Sequence, residues 1–492
     1  MNALLLYPEF PDTFWGFKHA LKFIRKRASL PPLGLLTVAA MLPAEWEKRL
    51  IDVNVRPLRE KDLAWADVVL ISAMIAQRDS VARLVARCRA AGKIIVAGGP
   101  LFTVEPAQFP DIDHLVLNEA ETTLPEFLRD FAQGRARRVY TSTRLPDLRE
   151  TPAPLWELAD LRRYASMSVQ YSRGCPFECD FCSVTAMFGH QPRVKAAAQV
   201  IGELEGLWQR GWRGGVFFVD DNLIGNQRSL REDLLPALIR WGRDRRGVTF
   251  FTEASINIAD HEDLMRQMVA AAFDQVFVGI ETPEEASLAE CNKRQNRRRD
   301  LIADVKRIQR AGLQVQGGFI VGFDNDPPTI FQRQIDFIQK SGIVTAMVGL
   351  LQAVPGTKLH ERLRQQGRLL GETTGDNVDG TTNFIPRMNR EALRDGYRRL
   401  MGHLYAPGPY YRRIRTFLRE YQPRRLSGGV TLRNLEALAR ASLRLGVIGR
   451  ERFHFWGLLA WTCFRRPTLM PMAVTLSIYG FHFRKCCEML GE

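Results

Sequence analysis

No stretch of this 492-residue chain offers the roughly eighteen uncharged apolar residues that a membrane-spanning helix needs. The nearest candidate, residues 455–483, is broken by Arg465, Arg466, Pro467 and Pro471. The opening MNALLLYPEF has neither a positive flank nor a small-residue cleavage site, so no secretory signal is expected. Cysteine is scarce: eight residues, unevenly placed, which argues against a disulfide scaffold and for a reducing cytoplasm. The glycine-rich phosphate motifs G-x-G-x-x-G and G-x-x-x-x-G-K-[ST] are absent, which disfavours a dinucleotide or P-loop protein. Internal repeats and low-complexity tracts are missing as well. Acidic residues fall short of basic ones, leaving a net charge of +15, yet no long basic run stands out beyond Arg297–Arg299 and Arg424–Arg425. With no nucleic-acid motif beside the charge, a nucleic-acid partner is not expected. An anionic membrane or an anionic substrate remains open.

What is present is an α/β pattern in three parts. Up to about residue 145, short apolar runs (3–7, 50–55, 68–72, 94–97 and 115–117) alternate with helix-length stretches such as 80–91 and 124–133. Continuous apolar strands between helices imply a parallel sheet covered on both faces, a Rossmann-like domain over 1–145. Ligands on such sheets sit at the carboxyl ends of the strands. Those ends carry Pro8, Ser72–Ala73, Gly98–Gly99–Pro100 and Asn118–Glu119. A Pro-rich charged linker follows within 146–164. A second βα series over 165–385 has strand candidates at 168–171, 215–219, 249–253, 275–280, 315–321 and 346–351. Six units imply a (βα)6 partial barrel with its chemistry at the C-terminal strand ends. Residues 386–492 lose the alternation and read as a mainly helical, basic domain. Its segment 455–483 is rich in Trp, Phe, Leu and Met, which fits either a helical core or a surface for a lipid-like substrate or membrane.

The chemistry centres on Cys175, Cys179 and Cys182, spaced C-x3-C-x2-C on a loop directly after the first strand of the second series. Soft thiolates select zinc or iron–sulfur clusters. Structural zinc normally takes four protein ligands, and His190 is the alternative fourth. Three thiolates instead leave one iron of a cubane open to another ligand. Cys291, after the fourth strand, is read as structural, with a substrate-side thiol as the alternative. Cys88 and the Cys486–Cys487 pair have no partner spacing.

With Phe181 before the third cysteine, the segment resembles the radical SAM superfamily signature C-x3-C-x-aromatic-C. That resemblance implies a [4Fe–4S] cluster on the three cysteines. Its open iron would bind the amino and carboxyl groups of S-adenosyl-L-methionine (SAM), and an electron from the cluster would release a 5′-deoxyadenosyl radical. Further stretches resemble the branch with an N-terminal cobalamin-binding domain. Residues 217–222 (FFVDDN), 252–254 (TEA), 279–282 (GIET), 318–323 (GFIVGF) and 354–357 (VPGT) fall in order at strand ends. The resemblance makes Phe181, Asp220, Asp221, Glu253, Glu281, Gly318 and Gly322 candidate SAM contacts. Any one carboxylate could instead be a helix cap. Residues 97–100 (AGGP) with 118–122 (NEAET) resemble the branch's G-G-P…G-E-x-E-x-T pattern, Asn118 standing in place of glycine. Ser72, Gly98, Gly99, Pro100 and Glu119 are the candidate cobalamin contacts. The D-x-H-x-x-G motif of mutases is absent, since neither His19 nor His114 has that context. The stretch 375–386 is similar to a subgroup with a C-terminal extension, in the neighbourhood of hopanoid C-2 methylases.

The resemblance implies a cobalamin-dependent radical SAM C-methyltransferase acting on a small molecule, with a lipid or similar hydrophobic substrate preferred. It also implies an external electron donor such as flavodoxin or ferredoxin, and a cytoplasmic protein with peripheral membrane contact as an option. A non-methylating cyclase, ring-rearranging enzyme or oxidoreductase with the same cofactors is the alternative. A sensor without catalysis would leave the strand-end residues without purpose.

Overall fold

A computed structural model describes residues 1–376, 378–423 and 432–489. Asn377, inside the 375–386 stretch, and the Arg424–Arg425 pair lie outside the described residues. The N-terminal sheet has six parallel strands: β1 (Asn2–Tyr7), β2 (Glu47–Asp52), β3 (Val68–Ser72), β4 (Ile94–Gly98), β5 (His114–Val116) and β6 (Val139–Tyr140), in spatial order β2-β1-β3-β4-β5-β6. The order reverses between β1 and β3, which places the ligand crevice of a doubly wound sheet over those strand ends. The central strands β1, β3 and β4 are almost wholly buried, because helices cover both faces.

The second sheet uses β7 (Met167–Val169), β10 (Gly215–Phe218), β11 (Thr249–Glu253), β12 (Phe273–Glu281), β13 (Gln314–Val321) and β14 (Ala346–Leu350), all parallel and in chain order. Between β7 and β10 lies a two-stranded antiparallel hairpin, β8 (Ser172–Arg173) with β9 (Arg193–Val194). The period-two pattern sorts the barrel strands. Val216, Phe218, Phe250 and Phe273 pack outward against helices, while Phe217, Phe251, Gln275 and Phe277 point into the lumen.

Two features depart from the sequence reading. The single run at 168–171 is divided: β7 ends at Val169, and the hairpin strand begins at Ser172. The second concerns the N-terminal part, which does not stay with its own sheet. Residues 13–29 leave it and pack on the barrel and the last helix, Met470–Met489. Ala28 bridges to Tyr164 beside β7. Phe14 stacks on Phe483 (5.1 Å), Phe17 meets Tyr479 (5.0 Å) and Phe23 meets Phe481 (5.6 Å). Residues 13–29 and the helix Met470–Met489 thereby share one hydrophobic core with the barrel strands. Hydrophobic periodicity carries no sign of this, because the partners are more than 450 residues apart.

Two fastenings hold the N-terminal sheet against the barrel mouth. In the first, Arg173 and Arg193, cross-strand neighbours in the hairpin, both reach Glu119 after β5 (2.7 and 2.8 Å), and Arg173 also reaches Glu121 (2.8 Å). Like charges directly opposite on a sheet repel. Here two carboxylates compensate them. In the second, residues 371–376 and 378–383 connect the loop after β14 with the loop after β3. Gly375 sits so close to Ile75 and Ala76 that an added Cβ would lie 2.7 Å from the Ala76 nitrogen, and Glu372 pairs with Arg78 (3.2 Å). Asn383 holds both backbone groups of Ala353, and Tyr397 donates to Val348 O (3.0 Å) and Val378 O (3.3 Å). No helix among the described residues is long and apolar enough to cross a membrane.

Candidate active site

The cysteine loop is a closed structure. The β8–β9 hairpin ties its ends, and Gly174 turns it with φ 96°. A side chain on Gly174 would meet the carbonyls of Gly189, Gln191 and Phe188 at 2.9–3.1 Å, so only glycine fits. Cys175 N donates to Gly189 O (3.3 Å), and Cys182 N to Cys179 O (3.0 Å). Cys179 is buried and the other two are partly so. Burial raises all three thiols, with their mutual repulsion contributing; Cys182 is pushed up to about 12. Among the described residues no three His, Cys, Asp or Glu side chains group closely enough to hold one ion. His190, the candidate fourth zinc ligand, faces Glu178 instead (3.3 Å). Three thiols on one loop match the protein ligand count of a cubane with one iron open to another ligand.

Asp220 does not face the mouth. It is 1% exposed, and its carboxylate accepts the Ser172 hydroxyl (2.6 Å), Tyr171 N (3.2 Å) and the Ser172 N–H. Burial raises its pKa to about 7 in spite of these bonds. Asp221 accepts Gly174 N (3.1 Å). Both aspartates therefore hold the start of the cysteine loop, because a carboxylate at the end of β10 lies under the backbone leaving β7. Two amides that the sequence reading gave no role touch the cysteines. Asn222 Nδ2 lies 4.0 Å from Cys175 Sγ, and Gln295 Nε2 lies 3.8 Å from Cys179 Sγ.

The Glu253 carboxylate has no hydrogen bond or ion pair among the described residues. Burial, with repulsion from Asp221, Asp220 and Glu281, lifts its pKa to about 8. The strand-end carboxylates do converge, as their mutual repulsion shows, and an unpaired acid among them suits a cationic ligand. Glu281 is different. It adopts φ 63°, a costly conformation for a side-chain-bearing residue, and pairs with Lys293 at 2.6 Å. Gly279 makes room for this pair: a Cβ there would lie 2.4 Å from Glu281 Oε1 and 2.9 Å from Lys293 Nζ. The neighbouring acids and thiols raise the Lys293 pKa despite its burial. Lys293 lies 5.9 Å from the Phe181 ring centroid. Lys293 has no motif signal; a lone lysine after a short helix is common.

The pair invites a double-mutant cycle. Lys293→Met should cost about 3 kcal/mol of stability by stranding a buried carboxylate. Adding Glu281→Gln should recover much of that cost. Chemical denaturation of the four proteins checks it; additive losses would refute the coupling.

Phe181 packs edge-on to Phe323 (6.3 Å). Gly318 lies under the Phe277 ring, where a Cβ would come within 2.7 Å, and Gly322 has φ 105°. Cys291 is buried, and its carbonyl accepts Asp180 N (3.0 Å), consistent with a structural residue.

In the N-terminal domain the structure brings Ser72 and Gly99 together: a Cβ on Gly99 (φ 92°) would lie 2.5 Å from Ser72 Oγ. Gly98 likewise abuts Val116 O (2.6 Å), and Pro100 opens the helix Pro100–Val104. Both glycines thus let neighbouring backbone and the Ser72 hydroxyl approach closely at the ends of β3 and β4. Glu119 is not on offer to a ligand, because the arginine clamp occupies both its oxygens. Asn118 explains its departure from glycine. It has φ 62°, a region asparagine tolerates best after glycine, and its Oδ1 accepts the Thr141 hydroxyl (2.7 Å). Neither His19 nor His114 stands at these strand ends; His114 opens β5, and His19 lies in the helix Lys18–Leu21.

A three-cysteine loop on a parallel six-stranded partial barrel, behind a doubly wound parallel domain, is the architecture of a radical SAM protein with a cobalamin-binding domain. The comparisons agree. The B12 binding domain family matches residues 26–128, the radical SAM superfamily residues 169–338, and a domain of unknown function (DUF4070) residues 357–492. An uncharacterised methyltransferase of Synechocystis sp. is 41% identical, covering 100% of this chain and 93% of its own length. The hopanoid C-2 methylase of Rhodopseudomonas palustris is 32% identical, covering 92% of this chain and 88% of its own. Among solved structures, the cobalamin-dependent SAM radical enzyme OxsB with aqua-cobalamin and SAM bound shares the fold, with a TM-score of 0.64 at 14% identity over 100% of this chain and 84% of that one. The radical SAM methyltransferase TsrM from Kitasatospora setae follows at TM-score 0.57 and 15% identity, over 74% and 76%. The chain belongs to the cobalamin-dependent radical SAM methyltransferases. Its radical SAM domain implies a [4Fe–4S] cluster and SAM, and its B12-binding domain cobalamin.

Proposed function

We propose that the enzyme methylates an unactivated carbon of a lipid-like substrate, a polycyclic isoprenoid being the first choice. The observation that carries this is the barrel lumen. Below the carboxylate-ringed mouth, Phe217 and Phe251 stack in parallel (4.9 Å, 10°), Phe277 covers Gly318, and Trp15 from the N-terminal segment closes on Phe277 at 5.1 Å. A polar substrate would lose its hydration against such walls, whereas an apolar one gains by burial. The similarity to a hopanoid C-2 methylase supports the same class.

When bound, the cluster and SAM supply the adenosyl radical and cobalamin the methyl group. The protein's own residues place these groups. Cys175, Cys179 and Cys182 hold the cluster, with Asp220 and Asp221 fixing their loop. Glu253, beside Glu281, receives the cationic end of SAM, with Phe181 and the backbone at Gly318 and Gly322 lining the rest of its site. Ser72, Gly98, Gly99 and Pro100 form the seat for cobalamin. A low-potential donor such as flavodoxin or ferredoxin supplies electrons in the cytoplasm.

The test is anaerobic incubation of the reconstituted enzyme with methyl-labelled SAM, a reductant and a bacterial lipid extract. Label should appear in an apolar lipid that gains one methylene in mass. Formation of 5′-deoxyadenosine with label only in water-soluble products would overturn the lipid assignment.

A further inference from the structure

The helix Arg452–Arg465 is apolar on two faces. One, with Phe455, Leu458 and Leu459, is buried in the core. The other carries Phe453, Trp456 and Phe464, spaced to share one side of a helix, and is bare: Phe464 is 87% exposed and Phe453 77%. The preceding helical turns, Ser442–Ile448, add Leu443, Val447 and Ile448, the last 72% exposed. A solvated surface this rich in large apolar side chains signals a partner.

The surrounding charge identifies that partner. Arg450, Arg452 and Arg465 border the patch. Arg450 and Arg465 form no ion pair among the described residues, and Arg452 stacks on Phe453 (4.9 Å). The local acids are withdrawn: Glu451 is buried on Arg484, and Glu436 is held by Arg440 (2.6 Å). A second copy would bring the same cationic rim and be repelled. Protruding apolar tips ringed by unpaired arginines suit a surface that is apolar within and anionic at its edge. We propose that this face of the C-terminal domain docks the enzyme onto the anionic leaflet of a lipid bilayer, with Phe453, Trp456 and Phe464 inserted at headgroup depth. Docking rests on this patch alone and is independent of what is methylated.

The full chain is mixed with vesicles of phosphatidylcholine alone, or of phosphatidylcholine with phosphatidylglycerol, and sedimented. It should pellet with the anionic vesicles, lose binding as salt rises, and blue-shift its tryptophan emission. Phe453→Ser with Phe464→Ser should weaken partitioning by about tenfold or more while leaving the melting temperature unchanged, since both side chains are already solvated. Arg450→Gln with Arg465→Gln should weaken it only toward anionic vesicles. Failure of the wild-type chain to pellet, or equal pelleting of the phenylalanine variant, overturns the proposal. So does a vesicle-free dimer that the same variant dissolves, which would assign the face to a second copy. Vesicle binding requires no substrate, so it fails or succeeds separately from the lipid-methylation assay.

Discussion

Cys179→Ala should yield a folded protein that retains neither iron–sulfur absorbance nor SAM cleavage. Cys179 is the one buried residue of the three cysteines, with Gln295 against its sulfur (3.8 Å), and its loss removes one of only three thiolates on the loop. Folding should survive, because the loop is held by the β8–β9 hairpin and by the aspartates and not by the thiol. Iron and sulfide analysis after anaerobic reconstitution, together with 5′-deoxyadenosine release, measures the effect. The expected drop in SAM cleavage is at least about a thousandfold, the scale seen when a unit of catalytic machinery is removed. Retention of SAM cleavage would show that the cluster sits elsewhere.

Asp220→Ala should come close to that loss by a different route. The change strands two backbone N–H groups and a hydroxyl, all buried. Each unsatisfied group costs about 1–3 kcal/mol. The loop should slacken, and iron content should fall by more than half. Asp220→Asn keeps one acceptor oxygen and should fall between. The informative measurement is SAM affinity per cluster formed. A loop anchor leaves it unchanged, whereas a direct SAM contact would weaken it at normal iron content.

That contrast shows where the sequence was legible. Position along a strand is written in the alternation of apolar residues, so the strand ends, the cysteine loop and the domain order could be read before any coordinates. What a strand-end carboxylate touches is not written there. Asp220 and Glu253 close adjacent strands and look alike in sequence. One lies beneath the backbone that leaves β7, with every bond satisfied; the other stands unpaired in the mouth. Glu119 shows the same effect: its partners, Arg173 and Arg193, lie 54 and 74 residues away. Lys293 stayed invisible because it matters only through Glu281, across a gap that Gly279 leaves open. Asn118, by contrast, looked like a blemish in a glycine motif and is a faithful substitute, since the motif specifies a left-handed backbone and asparagine supplies one.

The aromatic seam between residues 14–23 and the last helix bears on how the protein is made. Phe14, Phe17 and Phe23 are translated more than 450 residues before their partners Tyr479, Phe481 and Phe483. His482, wholly buried, contacts Phe14 O at 3.0 Å. Until those partners are made, the three aromatics lack this packing. The nascent chain is thus exposed to aggregation in the interval, and truncating the helix Met470–Met489 should damage residues 13–29 as much as its own domain.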